Sequence, residues 1–243
     1  FQLTLQEEQL PGPRVRTYQT GEDRWVELPS WEDKPVQHHT VHLDFAKGAI
    51  TDSPAKEEGC SRFVYDPADP VKSHGSESCL ATWDANGSRL QPEPGSREDV
   101  VTLLSQPLEK DLRIMGKIQV QLWVSTDGED TAFTAKLMRV TPDGNSYNIR
   151  GSITTISQGS EAGEHYVPGT PVPVTVDLWN VCYTVRAGER LRLAISSSDY
   201  PNFHVHCNYP GIWGLQRSQR KALQQLYSGN GKDSWVQMEV QTE

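Results

Sequence analysis

The chain has 243 residues, 35% of them hydrophobic and 23% charged, with a formal net charge of −9. That length holds one large all-β domain or two small ones, and seven Trp, eight Tyr and five Phe supply core anchors that disordered chains lack. The negative balance, with no run of Lys and Arg to override it, excludes nucleic acid and anionic membrane as expected partners, since both repel such a surface. No apolar run reaches the length that spans a bilayer. The chain opens at Phe1 rather than Met, so an excised domain is expected. Four scattered cysteines without a CxxC pair fit neither a zinc ribbon nor a disulfide scaffold.

In chain order, the first 95 residues read as an irregular portion. It holds a strand at 14–18, a Trp-rich turn at 25–31, a strand at 40–45, and proline-rich connections at 66–70 and 91–95. From about residue 96 the dominant signal is period two, as in strands with one buried face. In KIQVQLWV, Ile118, Val120, Leu122 and Val124 share one face, with Trp123 on the other. FTAKLMRV follows, then Thr141-Pro142-Asp143-Gly144, a turn that presets one dihedral and supplies a residue tolerant of positive φ. SYNIRGSITTI is the next strand. VTVDLW alternates Val174, Val176 and Leu178 against Thr175, Asp177 and Trp179. A second turn, Arg186-Ala187-Gly188-Glu189, leads to RLRLAI, where Leu191, Leu193 and Ile195 alternate with Arg190, Arg192 and Ala194. RSQRKALQQLY (217–227) has Leu223, Leu226 and Tyr227 at helical spacing and is the one helix expected. WVQMEV closes the pattern. Many strands, turn signals and at most one or two short helices predict a single all-β sandwich.

The stretch AISSSDYPNFHVHCNYPGIWG (194–214) gathers residues that build triads and metal sites. No G-x-S-x-G nucleophile elbow occurs in the chain, so Ser196, Ser197 and Ser198 read as a strand end that satisfies loop backbone. His204 and His206, with Asp199, could hold a transition metal. With no third ligand at a diagnostic spacing, no metal is expected, and His38, His39 and His42 form a weaker cluster still. Asp127, Glu129 and Asp130 lack the EF-hand pattern and read as a solvated turn. Trp123 and Trp179, on nominally polar strand faces, could form a sugar platform or mark where another domain packs.

Six phrases, in order, carry a resemblance: GEDRWVELPSW (21–31), FVYDPADPV (63–71), REDVVTLLSQPLEKDLRIMGKIQVQLWVST (97–126), EDTAFTAKLMRVTPDGNSYNI (129–149), VRAGERLRLAISSSDYPNF (185–203) and KDSWVQMEV (232–240). The ordered set resembles the C-terminal domain of the X-Pro dipeptidyl-peptidase and cocaine esterase (CocE/NonD) family of serine hydrolases. The resemblance implies a jelly-roll sandwich of the galactose-binding-like type over residues 1–243, with the irregular wrap about 1–95 and the main sandwich about 96–243. It also implies that Ser, Asp and His of the triad belong to a preceding α/β-hydrolase domain, which would be the partner of this chain. Catalytic residues and cofactors are accordingly expected to be absent here, and a homo-oligomer contact is a further expectation.

The sequence departs from the family's pattern at Ala132, where an acid is usual, at Gly188-Glu189-Arg190, and at Lys72-Ser73-His74-Gly75-Ser76. In related esterases the last of these connections approaches the hydrolase active site. The resemblance therefore implies Val71, His74, Gly75, Ser76 and Leu80 as a substrate-pocket rim or domain interface. An independent carbohydrate-binding module built on Trp123 and Trp179 is the alternative.

Overall fold

The computed structural model describes residues 15–75, 86–216 and 218–242. β1 (Val15–Gln19) and β2 (Arg24–Leu28) form a separate antiparallel hairpin. The remaining strands are β3 (Val36–Asp44), β4 (Ala49–Thr51), β5 (Gly59–Tyr65), β6 (Val101–Leu104), β7 (Leu112–Thr126), β8 (Ala132–Val140), β9 (Ser146–Thr155), β10 (Val172–Val185), β11 (Arg190–Ser196), β12 (Ala222–Ser228) and β13 (Trp235–Gln241). They form one hydrogen-bonded sheet in the order β5-β12-β7-β13-β3-β4-β6-β11-β8-β9, with β10 paired along β7. Every ladder in it is antiparallel except the single parallel pairing of Ala49 with Leu104.

This sheet doubles over into two layers, because its apolar faces lie far apart in strand order yet fill one core. Ile118, Val120 and Leu122 of β7, Val174 and Val176 of β10, and Val236 and Met238 of β13 pack in the same cluster as Phe133, Ala135 and Leu137 of β8 and Leu191, Leu193 and Ile195 of β11. Each large side chain fully withdrawn from water contributes about 1.5–3 kcal/mol, so the period-two pattern decides the layer geometry. The result is the all-β sandwich expected from the alternation. A smaller cluster, Val26, Leu28 and Met115, fixes the β1–β2 hairpin to the outside of β7. From the stretch expected to be irregular, β3, β4 and β5 are strands of the large sheet.

Both turns form where their residues demand. Gly144, at φ +91°, donates to the Thr141 carbonyl in the β8–β9 turn. Glu189 N–H donates to the Arg186 carbonyl in the β10–β11 turn. The helix expected at 217–227 is corrected by the structure: Ala222–Ser228 is β12, with Ala222, Gln224, Leu226 and Ser228 buried in strict alternation. Its backbone pairs with β5 on one side and β7 on the other, and these two ladders outweigh the local helical spacing of Leu223, Leu226 and Tyr227. The one α-helix among the described residues, α1 (Ile156–Gly159), is a single turn capped by the Thr155 side chain accepting from Gln158 N–H. Two 3-10 turns occupy Gly163–His165 and Trp213–Leu215.

Candidate functional site

The 71–75 connection is laced to the strand end that follows β11. Val71 N–H donates to Ser198 Oγ at 2.9 Å, and Tyr200 N–H donates to the Val71 carbonyl at 2.8 Å. Ser73 N–H donates to the Tyr200 carbonyl at 2.7 Å, and Ser73 Oγ donates to the Asp199 carbonyl at 2.9 Å. The His74 carbonyl accepts from Gln91 Nε2 at 2.6 Å. Gly75 sits at φ +72°, and a Cβ there would meet the Gly87 carbonyl oxygen and Asn148 Oδ1. Three of the five rim residues inferred from sequence thus lie on one braced loop. Ser76 and Leu80 lie outside the described residues.

Beneath this loop is a cavity of about 420 Å³, roofed by residues around 69–74 and 91–97 and floored by β6, β11 and β8. The roof explains why Arg192 and Ala194, expected on a wet face, are buried at 5% and 8% exposure. Lys136 rises from β8 into the cavity wall and pairs with Asp199 at 2.8 Å, both side chains largely withdrawn from water. Asp199 is therefore not available to the histidines. Ser196 Oγ is shared with Thr134 Oγ1 at 2.7 Å and also reaches the Ser198 carbonyl. Ser196 thus holds its own strand end and Ser198 the 71–75 loop, while the buried Ser197 Oγ has no hydrogen-bond partner.

His204 and His206 lie in irregular backbone and both contact the Trp213 ring, His204 stacked at 6.5 Å and His206 edge-on at 4.9 Å between centroids. His206 Nδ1 accepts from Asn208 N–H, while Nε2 faces Asp130. The solvated turn expected at 127–130 is corrected at Asp130, which is 2% exposed. Its carboxylate accepts from Thr131 N–H, Ser157 N–H and Ser157 Oγ. Burial alone would push its pKa up, but the facing His206 imidazole and the Ser157 hydrogen bonds outweigh that and hold it below the ordinary value. Among the described residues no group of three His, Cys, Asp or Glu is placed to hold a metal ion. His42, from the other histidine cluster, pairs with Asp233 at 2.9 Å. Cys60, Cys182 and Cys207 are free thiols.

Trp123 is half-buried on β7, directly opposite Pro173 of β10 and Tyr227 of β12. Trp179 is 64% exposed at a bulge in β10 between Asp177 and Asn180, with φ at +63°. The bulge lies opposite Lys117–Gln119 of β7, which separates the two indoles by roughly 15 Å along the strand at the usual rise. The polar residues that matter most here, Lys136 and Arg192, were not singled out in the sequence. The available signals were Arg190 and Arg192 alternating with leucines in β11 and Lys136 inside the largely apolar β8.

Fold and site together define an all-β sandwich domain whose reactive side chains are largely engaged in its own packing. The chain belongs to the family of X-Pro dipeptidyl-peptidase C-terminal non-catalytic domains, whose family model it matches over residues 10–237. It is 27% identical to the cocaine esterase of Rhodococcus sp. (strain MB1 Bresler), an alignment covering 94% of this chain and 42% of that protein. An aminopeptidase from a marine sediment Thaumarchaeota archaeon shares its fold, with a TM-score of 0.83 at 22% identity over 99% of this chain and 42% of the other. An α-amino acid ester hydrolase does so with a TM-score of 0.80 at 23% identity, over 96% and 42%. The chain thus spans about two fifths of the length of these relatives.

Proposed function

We propose that this chain is the accessory C-terminal sandwich of an α/β-type serine hydrolase acting on peptide, ester or amide bonds. In this reading it packs on the catalytic domain, contributes no triad residue, and presents Val71, His74 and Gly75 at the rim of the substrate pocket. The observation that carries it is the match, across nearly the whole chain, to a domain family described as non-catalytic. The site chemistry supports it. Among the described residues no serine hydroxyl is hydrogen-bonded to a histidine ring: Ser196 and Ser198 hold the strand end, and Ser157 donates to Asp130 rather than to His206. A triad needs its hydroxyl against the imidazole. The bracing of the 71–75 loop by Ser198, Tyr200 and Gln91 gives a rim the fixed shape that positioning a substrate requires.

Two measurements test this reading. The 243-residue chain, purified alone, gives no turnover of aminoacyl or X-Pro nitroanilides or of nitrophenyl esters, and inhibitor-sensitive turnover would refute the accessory role. In the parent protein, amide exchange at Val71–Gly75 is slower than in the isolated chain. Equal exchange in the two would remove the rim.

A further inference from the structure

We propose that the cavity over β6, β11 and β8 is a binding site for a small monocarboxylate with an apolar body, held through its carboxylate by Arg192. The cavity shares Val71 and His74 with the proposed rim, but its lining residues all belong to this chain, so binding by the isolated chain is tested separately from the rim reading. Arg192 projects from the face of β11 opposite the core residues Leu191 and Leu193, is 5% exposed, and lines the cavity. Its Nη1 donates to Ser146 Oγ at 3.0 Å and its Nη2 to the Pro92 carbonyl at 3.3 Å, both neutral acceptors. Its buried Nε has no acceptor. No carboxylate among the described residues lies within ion-pair distance of it, unlike Lys136 with Asp199 or Arg139 with Glu189.

A desolvated guanidinium held only by neutral acceptors is costly, and a carboxylate is the group whose geometry fits its fork. The surroundings define the rest of the ligand. Val71, Pro92, Val100, Met138 and Ala194 supply apolar wall around the charge, and about 420 Å³ is within the usual range of small-molecule sites. Lys136 is already neutralised by Asp199 and Arg97 by Asp69 and Asp99, so Arg192 is the buried cation of the lining without an ion pair among the described residues. Asp199 and Glu93, whose charge already acts on Arg192, also line the cavity and oppose a doubly charged ligand more than a singly charged one, so a monoanion fits better than phosphate or a dicarboxylate.

The test is calorimetric titration of the 243-residue chain with phenylacetate and with its neutral isostere phenylacetamide. Saturable one-to-one binding of the acid is expected, with the amide weaker by at least about tenfold, the scale of one charge-assisted pair. Arg192→Met, which removes the charge but keeps an apolar stem, and Ala194→Leu, which fills the cavity, both lose binding by a similar factor. Arg192→Met is expected to fold, because replacing a buried charge by an apolar group is often neutral or stabilising. In the unmutated chain the Arg192 Nε–H resonance shifts with phenylacetate and not with the amide, a readout that needs no variant. A flat titration without that shift, equal affinity for the amide, or full binding by a folded Arg192→Met variant each overturns the proposal.

Discussion

His206 Nε2 lies 3.6 Å from Asp130 Oδ2, with the two side chains 0% and 2% exposed. Because His206 Nδ1 accepts from Asn208 N–H, the imidazole proton sits on Nε2 and points at the carboxylate. The pair ties the loop after β7 to the irregular 204–208 segment, and Thr131 Oγ1 donating to Asn208 Oδ1 at 2.7 Å reinforces the tie. Removing the acid strands the buried donors of Ser157 and Thr131 and takes away the carboxylate that faces His206. Asp130→Ala should cost about 3–5 kcal/mol, and Asp130→Asn less, because breaking a buried pair is worse than never forming it. Urea unfolding of the isolated chain checks this, and a loss below about 1 kcal/mol for the alanine variant would mean the cluster is not structural.

A pH dependence follows from Glu22. This carboxylate sits in the β1–β2 turn and accepts from Arg113 Nε at 2.6 Å, from Thr184 Oγ1 at 3.0 Å and from Arg24. Burial raises its pKa, but these three donors outweigh it and hold the group at about 2, below its ordinary 4.5. A folded pKa below the unfolded one means the contribution is complete above pH 4.5 and drains away as pH falls towards 2. The stability difference between the unmutated chain and Glu22→Gln should therefore be constant near neutrality and shrink on acidification through that window. A difference that grows with acid would reverse the assignment.

Strand β12 makes a prediction that the helical reading cannot share. Leu226 is fully buried and Leu223 is 37% exposed, although a helix would place both on one face. Leu226→Ala should cost about 2–5 kcal/mol, as large-to-small changes in a core do. Leu223→Ala should cost under about 1 kcal/mol. Chemical denaturation of the two variants side by side is sufficient.

Trp179 holds a left-handed backbone conformation with its indole largely in water. For a bulky L-residue that conformation costs roughly 1–2 kcal/mol. Trp179→Gly should leave the isolated chain as stable or up to about 1 kcal/mol more stable by thermal unfolding. A marked loss would show that the exposed indole contributes packing of its own.

The parts of the fold legible in the sequence were those written in short-range pattern. Ile118, Val120, Leu122 and Val124 bury on one face as their alternation says, and Pro142-Asp143-Gly144 turns where its dihedral preferences demand. The failures fall where distant chain decides. Asp130 looks like part of an acidic surface turn until α1 brings Ser157 and the 204–208 segment brings His206 over it. Arg192 looks like a solvated cation until the 91–97 loop covers it.

The same division holds for the whole molecule. Side-chain alternation by itself marked β7, β10, β11 and β13 as strands and the class as all-β, because a period of two admits only one way to bury half of each strand. It also set the family, through phrases kept in order along the chain. Tertiary structure alone decided that Ala222–Ser228 is a strand between two others, that Asp199 neutralises Lys136, and that buried Arg192 is hydrogen-bonded to Ser146 and the Pro92 carbonyl. Those outcomes depend on which remote backbone closes over a residue. Contacts formed across dozens of positions leave no trace in the local order of side chains.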